Sequence, residues 1–180
     1  QGATPLYIAC RKGRVDAARL LLEKGTEVER ADERGRTPLD IAKQYRHASV
    51  VALLEEHLDS KFPLHAAART GDVEAMTQLL DGGTVVDQAK DDGATPLFVA
   101  CEHGRVDAAR LLLEKGAEVD RADKEGATPL LVACEKGHVE VARLLLEKGA
   151  DVHKASNANR TPLHEASYEG HVDVVRLLLA

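Results

Sequence analysis

The chain has 180 residues, 44% apolar, 30% charged and only 3% aromatic, with 24 basic and 30 acidic side chains and a net charge of −6. No apolar run exceeds about six residues, where a membrane-spanning helix needs about 20; the acidic balance disfavours nucleic acid, which demands a basic surface to displace counterions. Abundant Leu, Val and Ala argue against disorder, and three cysteines cannot all pair internally, so a reducing compartment, cytoplasmic or nuclear, is expected.

One period organises the chain. Thr-Pro-Leu begins at Thr4, Thr37, Thr95, Thr128 and Thr161, and successive starts differ by 33, 58, 33 and 33. A degenerate copy, Phe62-Pro63-Leu64-His65-Ala66-Ala67, divides the long interval into 25 and 33. Segment 4–36 matches segment 95–127 at 24 of 33 positions, so the repetition is not accidental.

The unit follows from local physics, and segment 95–127 shows it. Thr95 is placed to cap a helix with Pro96 at the first helical position, where a missing N–H costs nothing. Leu97, Ala100 and Cys101 then fall on one face, and Gly104 supplies a left-handed stop. A second helix is predicted from Val106 to Lys115, ended by Gly116, with a polar hairpin-like loop to Gly126. Each helix is shorter than the roughly 12–15 residues an isolated helix needs, so stacking on neighbours must stabilise it.

These residues carry a resemblance. Thr161-Pro162-Leu163-His164-Glu165-Ala166, Gly170-His171-Val172 through Leu179, and Gly149-Ala150-Asp151-Val152 closely resemble the ankyrin repeat, over nearly the whole chain. The resemblance implies an all-α solenoid of helix–turn–helix–hairpin units, elongated and curved. It also implies a non-catalytic scaffold that binds protein through hairpin tips and the concave face of the first helices.

The short interval interrupts the array. In segment 37–60, Glu55 replaces the third leucine of the second helix and His57-Leu58 replace the usual Lys-Gly. Glu55, Glu56, His57 and Asp59 give a polar outer face of the kind that caps an array. Lys61-Phe62-Pro63-Leu64-His65 then reads as an N-terminal cap. Residues 1–60 are thus expected to hold two repeats, and 61–180 four. Gln1-Gly2-Ala3-Thr4 begins mid-array, and Leu177-Leu178-Leu179 ends as an uncapped helix. Three arrangements are open: caps fused in line, a rearranged segment order, or residues 1–60 of one chain stacked on the open end of another. The last arrangement makes head-to-tail self-association through Leu177, Leu178 and Leu179 the competing function.

Catalytic and metal-binding patterns are weak. Cys10, Cys101 and Cys134 recur six residues after each threonine and read as packing residues; no Cys-x-x-Cys occurs. His65 and His164 are expected to bond the backbone of a neighbouring loop, and His138 and His171 follow the glycine that ends a first helix. The second histidine of a His-Glu-x-x-His motif is absent, since position 168 is tyrosine. Phosphate loops and nucleophile elbows are missing too, so no enzyme, cofactor or metal is expected.

Candidate partner-binding residues are those that vary between copies. The motif-histidine register carries Tyr7, Asp40, His65, Phe98, Leu131 and His164, of which Tyr7, Phe98 and Leu131 are taken as anchors. Packing between layers is the alternative for Phe98 and Leu131. Hairpin tips contribute Glu33, Arg34, Asp91, Asp92, Lys124, Glu125 and Asn157. First-helix ends contribute Arg11, Lys12, Glu102, His103 and Tyr168.

Overall fold

The computed structural model describes residues 4–180, which form twelve helices and no strand. The mid-array reading of Gln1–Ala3 lies outside the described residues. Two compact units divide the chain, Gln1–Pro63 and Leu64–Ala180. The first holds α1 (Pro5–Arg11), α2 (Val15–Glu23), α3 (Pro38–Gln44) and α4 (Ala48–Lys61). The second follows α5 (Pro63–Thr70), whose proline lies at the division, with α6 (Val73–Asp81), α7 (Pro96–Glu102) and α8 (Val106–Glu114). It ends with α9 (Pro129–Glu135), α10 (Val139–Glu147), α11 (Pro162–Glu169) and α12 (Val172–Leu178).

The threonines act as the sequence implies. Thr4, Thr37, Thr95, Thr128 and Thr161 each accept a hydrogen bond from the backbone N–H three residues on, with Pro next in line. Thr95 and Thr128 do so while buried, so their hydroxyls satisfy donors that water cannot reach. At the other end Gly104 stands just past α7 with φ +66°, and Arg105 N–H returns to the Ala100 carbonyl at 2.9 Å. This turn reverses the chain into α8.

Packing is layered within each unit. In the second, α7 lies on α9 and α9 on α11, while α6, α8, α10 and α12 form the parallel row. Its core is small and aliphatic: Leu97, Leu112, Leu130 and Leu145 are fully buried among Ala100, Ala109, Ala133 and Ala142. Each such leucine contributes about 1.5–3 kcal/mol of burial. In the first unit α1 packs on α2 and α3, and α4 on α2 and α3, around Leu6, Ile41, Val50 and Leu54.

At the interruption, α4 runs unbroken through Ser60 and Lys61 and stops at Phe62. That ring is 5% exposed and belongs to the first unit's core, so the residue expected to open a repeat packs with the one before it. Pro63 then starts α5, where it needs no donor. Glu55 on the second helix of this repeat meets Lys43 at 3.2 Å, partly neutralising the polar face.

A recurrent brace ties one repeat to the next. The residue just after the left-handed position that ends the first helix, which is Gly104, Gly137 or Gly170 but Arg46 (φ 56°) in the second repeat, reaches back 36 positions to a carbonyl in the preceding repeat. His47 Nε2 meets Arg11 O at 3.1 Å, His138 Nε2 meets Glu102 O at 3.1 Å, and His171 Nε2 meets Glu135 O at 2.9 Å. A carbonyl can only accept, so Nε2 carries the proton in each ring. Arg105 Nε does the same work on Arg69 O at 3.0 Å. The ring lies against the preceding repeat's glycine: a Cβ on Gly104 would sit 2.7 Å from His138 Nδ1.

Gly104→Ala is therefore expected to lower the second unit's unfolding free energy by at least about 1 kcal/mol, from the left-handed backbone and the clash together. In urea denaturation the Gly104→Ala/His138→Ala double variant should be less destabilised than the two single changes added, because the clash is lost with the ring.

Candidate interaction surface

The hairpins are tied to one another edge to edge. Lys124 N–H donates to Asp92 O at 2.9 Å, and Asn157 N–H to Glu125 O at 2.9 Å. Deeper in the loops, Asp87 accepts Glu118 N–H at 3.0 Å, and both Asp120 oxygens lie within 3.2 Å of Asp151 N. These bonds hold the tips at a fixed spacing and leave their side chains outside. Asp91, Asp92, Lys124 and Glu125 are exposed, as are Glu33 and Arg34 in the first unit.

The remaining candidates separate by environment. Arg11, Lys12 and His103 are exposed at first-helix ends, and Glu102 is half-buried. Tyr168 is 75% exposed, with Arg160 stacked on its ring at 4.6 Å and itself paired with Glu165 at 2.7 Å. Phe98 is half-buried against the core.

Three candidates are not free surface. Tyr7 and Leu131 are each 3% exposed. The Tyr7 hydroxyl donates to Asp32 Oδ2 at 2.8 Å, which commits it to the fold. Asn157 is exposed, but its Nδ2 donates to Lys124 O at 2.9 Å, so its amide is part of the inter-hairpin seam. The expected run of exposed leucines is also corrected. Leu177 and Leu178 pack half-buried against the second unit's core, and only Leu179, at 68% exposed, stands out.

Sequence reasoning passed over the cluster around Asp32. Its Oδ1 accepts the Arg34 and Arg36 N–H groups at 2.9 and 3.0 Å, while Oδ2 receives Arg36 Nε at 3.0 Å and Nη2 at 2.7 Å. Arg36 foremost, with Tyr7 and the two backbone donors, holds this carboxyl well below the usual carboxylate range. Burial, then the bond to Asp32, raises the Tyr7 pKa. The Asp-x-x-x-Arg spacing just before Thr37 was the available signal.

The histidines act through structure. His65 Nε2 meets the Ala94 carbonyl of the neighbouring loop at 3.1 Å. His164 departs from that pattern: its Nδ1 lies 2.7 Å from Thr161 Oγ1, capping its own helix. Cys10, Cys101 and Cys134 are buried and free, and burial raises the Cys10 thiol to about 11 and Cys134 to about 12, leaving them protonated and inert. Among the described residues no group of three His, Cys, Asp or Glu side chains is arranged to hold a metal ion.

The ankyrin-repeats family pattern matches in three copies, over residues 1–61, 54–123 and 118–180. The chain is a member of the ankyrin repeat family. This ankyrin-repeat chain is similar to part of the tyrosine-protein kinase HTK16 of Hydra vulgaris, 35% identical over 89 residues, covering 44% of this chain and 12% of that protein. Human rabankyrin-5 is 38% identical over 58 residues, 32% of this chain and 5% of its own length. The probable E3 ubiquitin-protein ligase XBOS33 of rice is 40% identical over 86 residues, 43% and 16% respectively. The matched stretches thus span a small fraction of these curated relatives. No described helix is long and apolar enough to cross a membrane.

Burial pushes the His65 pKa down to about 4, against the weaker raising effect of its bond to Ala94. Its unfolded value is near 6.5. Between these values the unfolded chain binds a proton that the folded one does not, so stability falls as pH drops from about 6.5 to 4 and then levels off. The loss is expected to approach about 3 kcal/mol. The protection factors of the α5 and α6 amides, which take out the pH dependence of intrinsic exchange, should fall as pH drops through that window, and His65→Leu should remove this part of the pH dependence.

Proposed function

We propose that the chain is a non-catalytic protein-binding scaffold that engages its partner through hairpin tips and first-helix ends. The observation that carries this reading is the division of labour within each repeat. Recurring apolar positions such as Leu97, Leu130, Leu112 and Leu145 are buried, whereas the hairpin-tip positions that differ, such as Asp91-Asp92 and Lys124-Glu125, are exposed and held in register by backbone bonds. A rigid frame with variable outward residues spends little ordering entropy on binding, which suits recognition of another macromolecule. Residues 64–180 hold 20 acidic and 13 basic side chains, which favours a protein with basic segments over nucleic acid. Three buried free thiols fit a reducing compartment, cytoplasmic or nuclear.

Selection of randomised displayed peptides on the full chain tests this reading. Peptides are expected to lose at least about tenfold in affinity on the double reversal Asp92→Lys/Glu125→Lys, a change worth about 1.4 kcal/mol. The control Arg110→Glu/Arg143→Glu, on the second helices, should leave affinity within about twofold. Peptides that respond only to the control pair would place the binding face elsewhere and overturn the assignment.

A further inference from the structure

Repeats 4–36 and 95–127 are identical at 24 of 33 positions, so each position in one has a counterpart in the other. At the base of the hairpin the two are built alike. Asp32 Oδ1 accepts Arg34 and Arg36 N–H at 2.9 and 3.0 Å; Asp123 Oδ1 accepts Glu125 and Ala127 N–H at 2.9 and 2.8 Å. The second carboxylate oxygen is where they part. Asp32 Oδ2 takes the Tyr7 hydroxyl at 2.8 Å and the Arg36 guanidinium at 2.7 and 3.0 Å.

In the second unit Phe98 stands where Tyr7 does, and Ala127 where Arg36 does. Neither side chain can donate a hydrogen bond. Asp123 Oδ2 consequently has no donor among the described residues, although its carboxyl is half-buried. Burial raises its pKa, with the Asp92 and Glu125 charges adding to the effect, so the same frame that satisfies Asp32 leaves Asp123 short of a cation. Half of the Asp32 assembly is present and the guanidinium is missing.

We propose that Asp123 receives an arginine side chain of a protein partner, its guanidinium entering the place that Arg36 occupies in the first unit and lying beside Phe98. This rests on reading the hairpins and first helices as the protein-binding face. Arginine fits better than lysine for two reasons visible in the first unit and in the ring. Arg36 brings two N–H groups to one oxygen, a fork that an ammonium lacks, and a weakly hydrated planar cation stacks favourably on a half-buried aromatic. Asp92 and Glu125 add negative potential around the entrance, which attracts a basic segment and raises its association rate.

The test is an NMR titration of the full chain with acetyl-arginine amide, with acetyl-citrulline amide as the neutral isostere. Shifts are expected to gather at the Phe98, Asp123, Glu125 and Ala127 amides with the arginine probe only. Asp123→Asn keeps the Oδ1 acceptor and removes the charge; Ala127→Arg fills the slot from within, as Arg36 does. Each should weaken the response about tenfold. Shifts scattered over the acidic surface, or undiminished in Ala127→Arg, would overturn the site. Selected peptides that bind wild type and Ala127→Arg equally would also remove it while leaving protein binding intact. Probe binding at Asp123 with no selectable peptide would uphold the guanidinium site and overturn the scaffold reading.

Discussion

Eleven of the described helices run only seven to nine residues, too short to persist alone, and everything else follows from that constraint. Such helices acquire stability only when one apolar face is covered by the next layer. The interlayer contact therefore carries both the apolar burial of Leu97, Leu112, Leu130 and Leu145 and the polar brace from His47, Arg105, His138 or His171. The brace occupies space that only a glycine leaves open. Gly13, Gly104 and Gly137 each lie so close to the following repeat's imidazole that a Cβ would come within 2.7 Å of Nδ1. Glycine there serves two ends at once, turning the chain and admitting the ring.

Much of this was legible because it is local. Threonine caps, the proline at the first helical position and the stopping glycine act over short stretches, so Thr95-Pro96 and Gly104 could be read directly. The candidate surface was harder, because exposure at the motif-histidine register is decided by the hairpin that follows the second helix of the same repeat. Tyr7 bonds to Asp32 of its own hairpin and Leu131 is buried, whereas Phe98 keeps part of its ring outside. Asn157 looked like a free tip residue, yet it bridges to Lys124 in the preceding repeat. The same distance effect hid Phe62, whose neighbours in sequence suggest a new repeat while its burial belongs to the old one.

The two related repeats also show how function can be moved without altering a frame. Positions 32 and 123 keep an aspartate whose inner oxygen clamps the loop in both units. The loop is thus indifferent to what the outer oxygen does. Replacing Tyr and Arg by Phe and Ala changes the chemistry presented at the surface, while the clamping bonds stay between 2.8 and 3.0 Å in both. Separating the structural oxygen from the variable one lets a single side chain serve both.

The inter-repeat bonds have a mechanical meaning as well. Those that link neighbouring layers run from Arg105–Arg69 to His171–Glu135, and among the described residues none reaches beyond the adjacent repeat. Tension applied to the end of the second unit would therefore load one interface at a time, without a distant contact to share it. Each layer released would add roughly 110 Å of extended chain, at about 3.3–3.6 Å per residue. Such an array behaves as a graded spring that yields in steps, and the outermost layer can peel and refold while the inner ones stay closed.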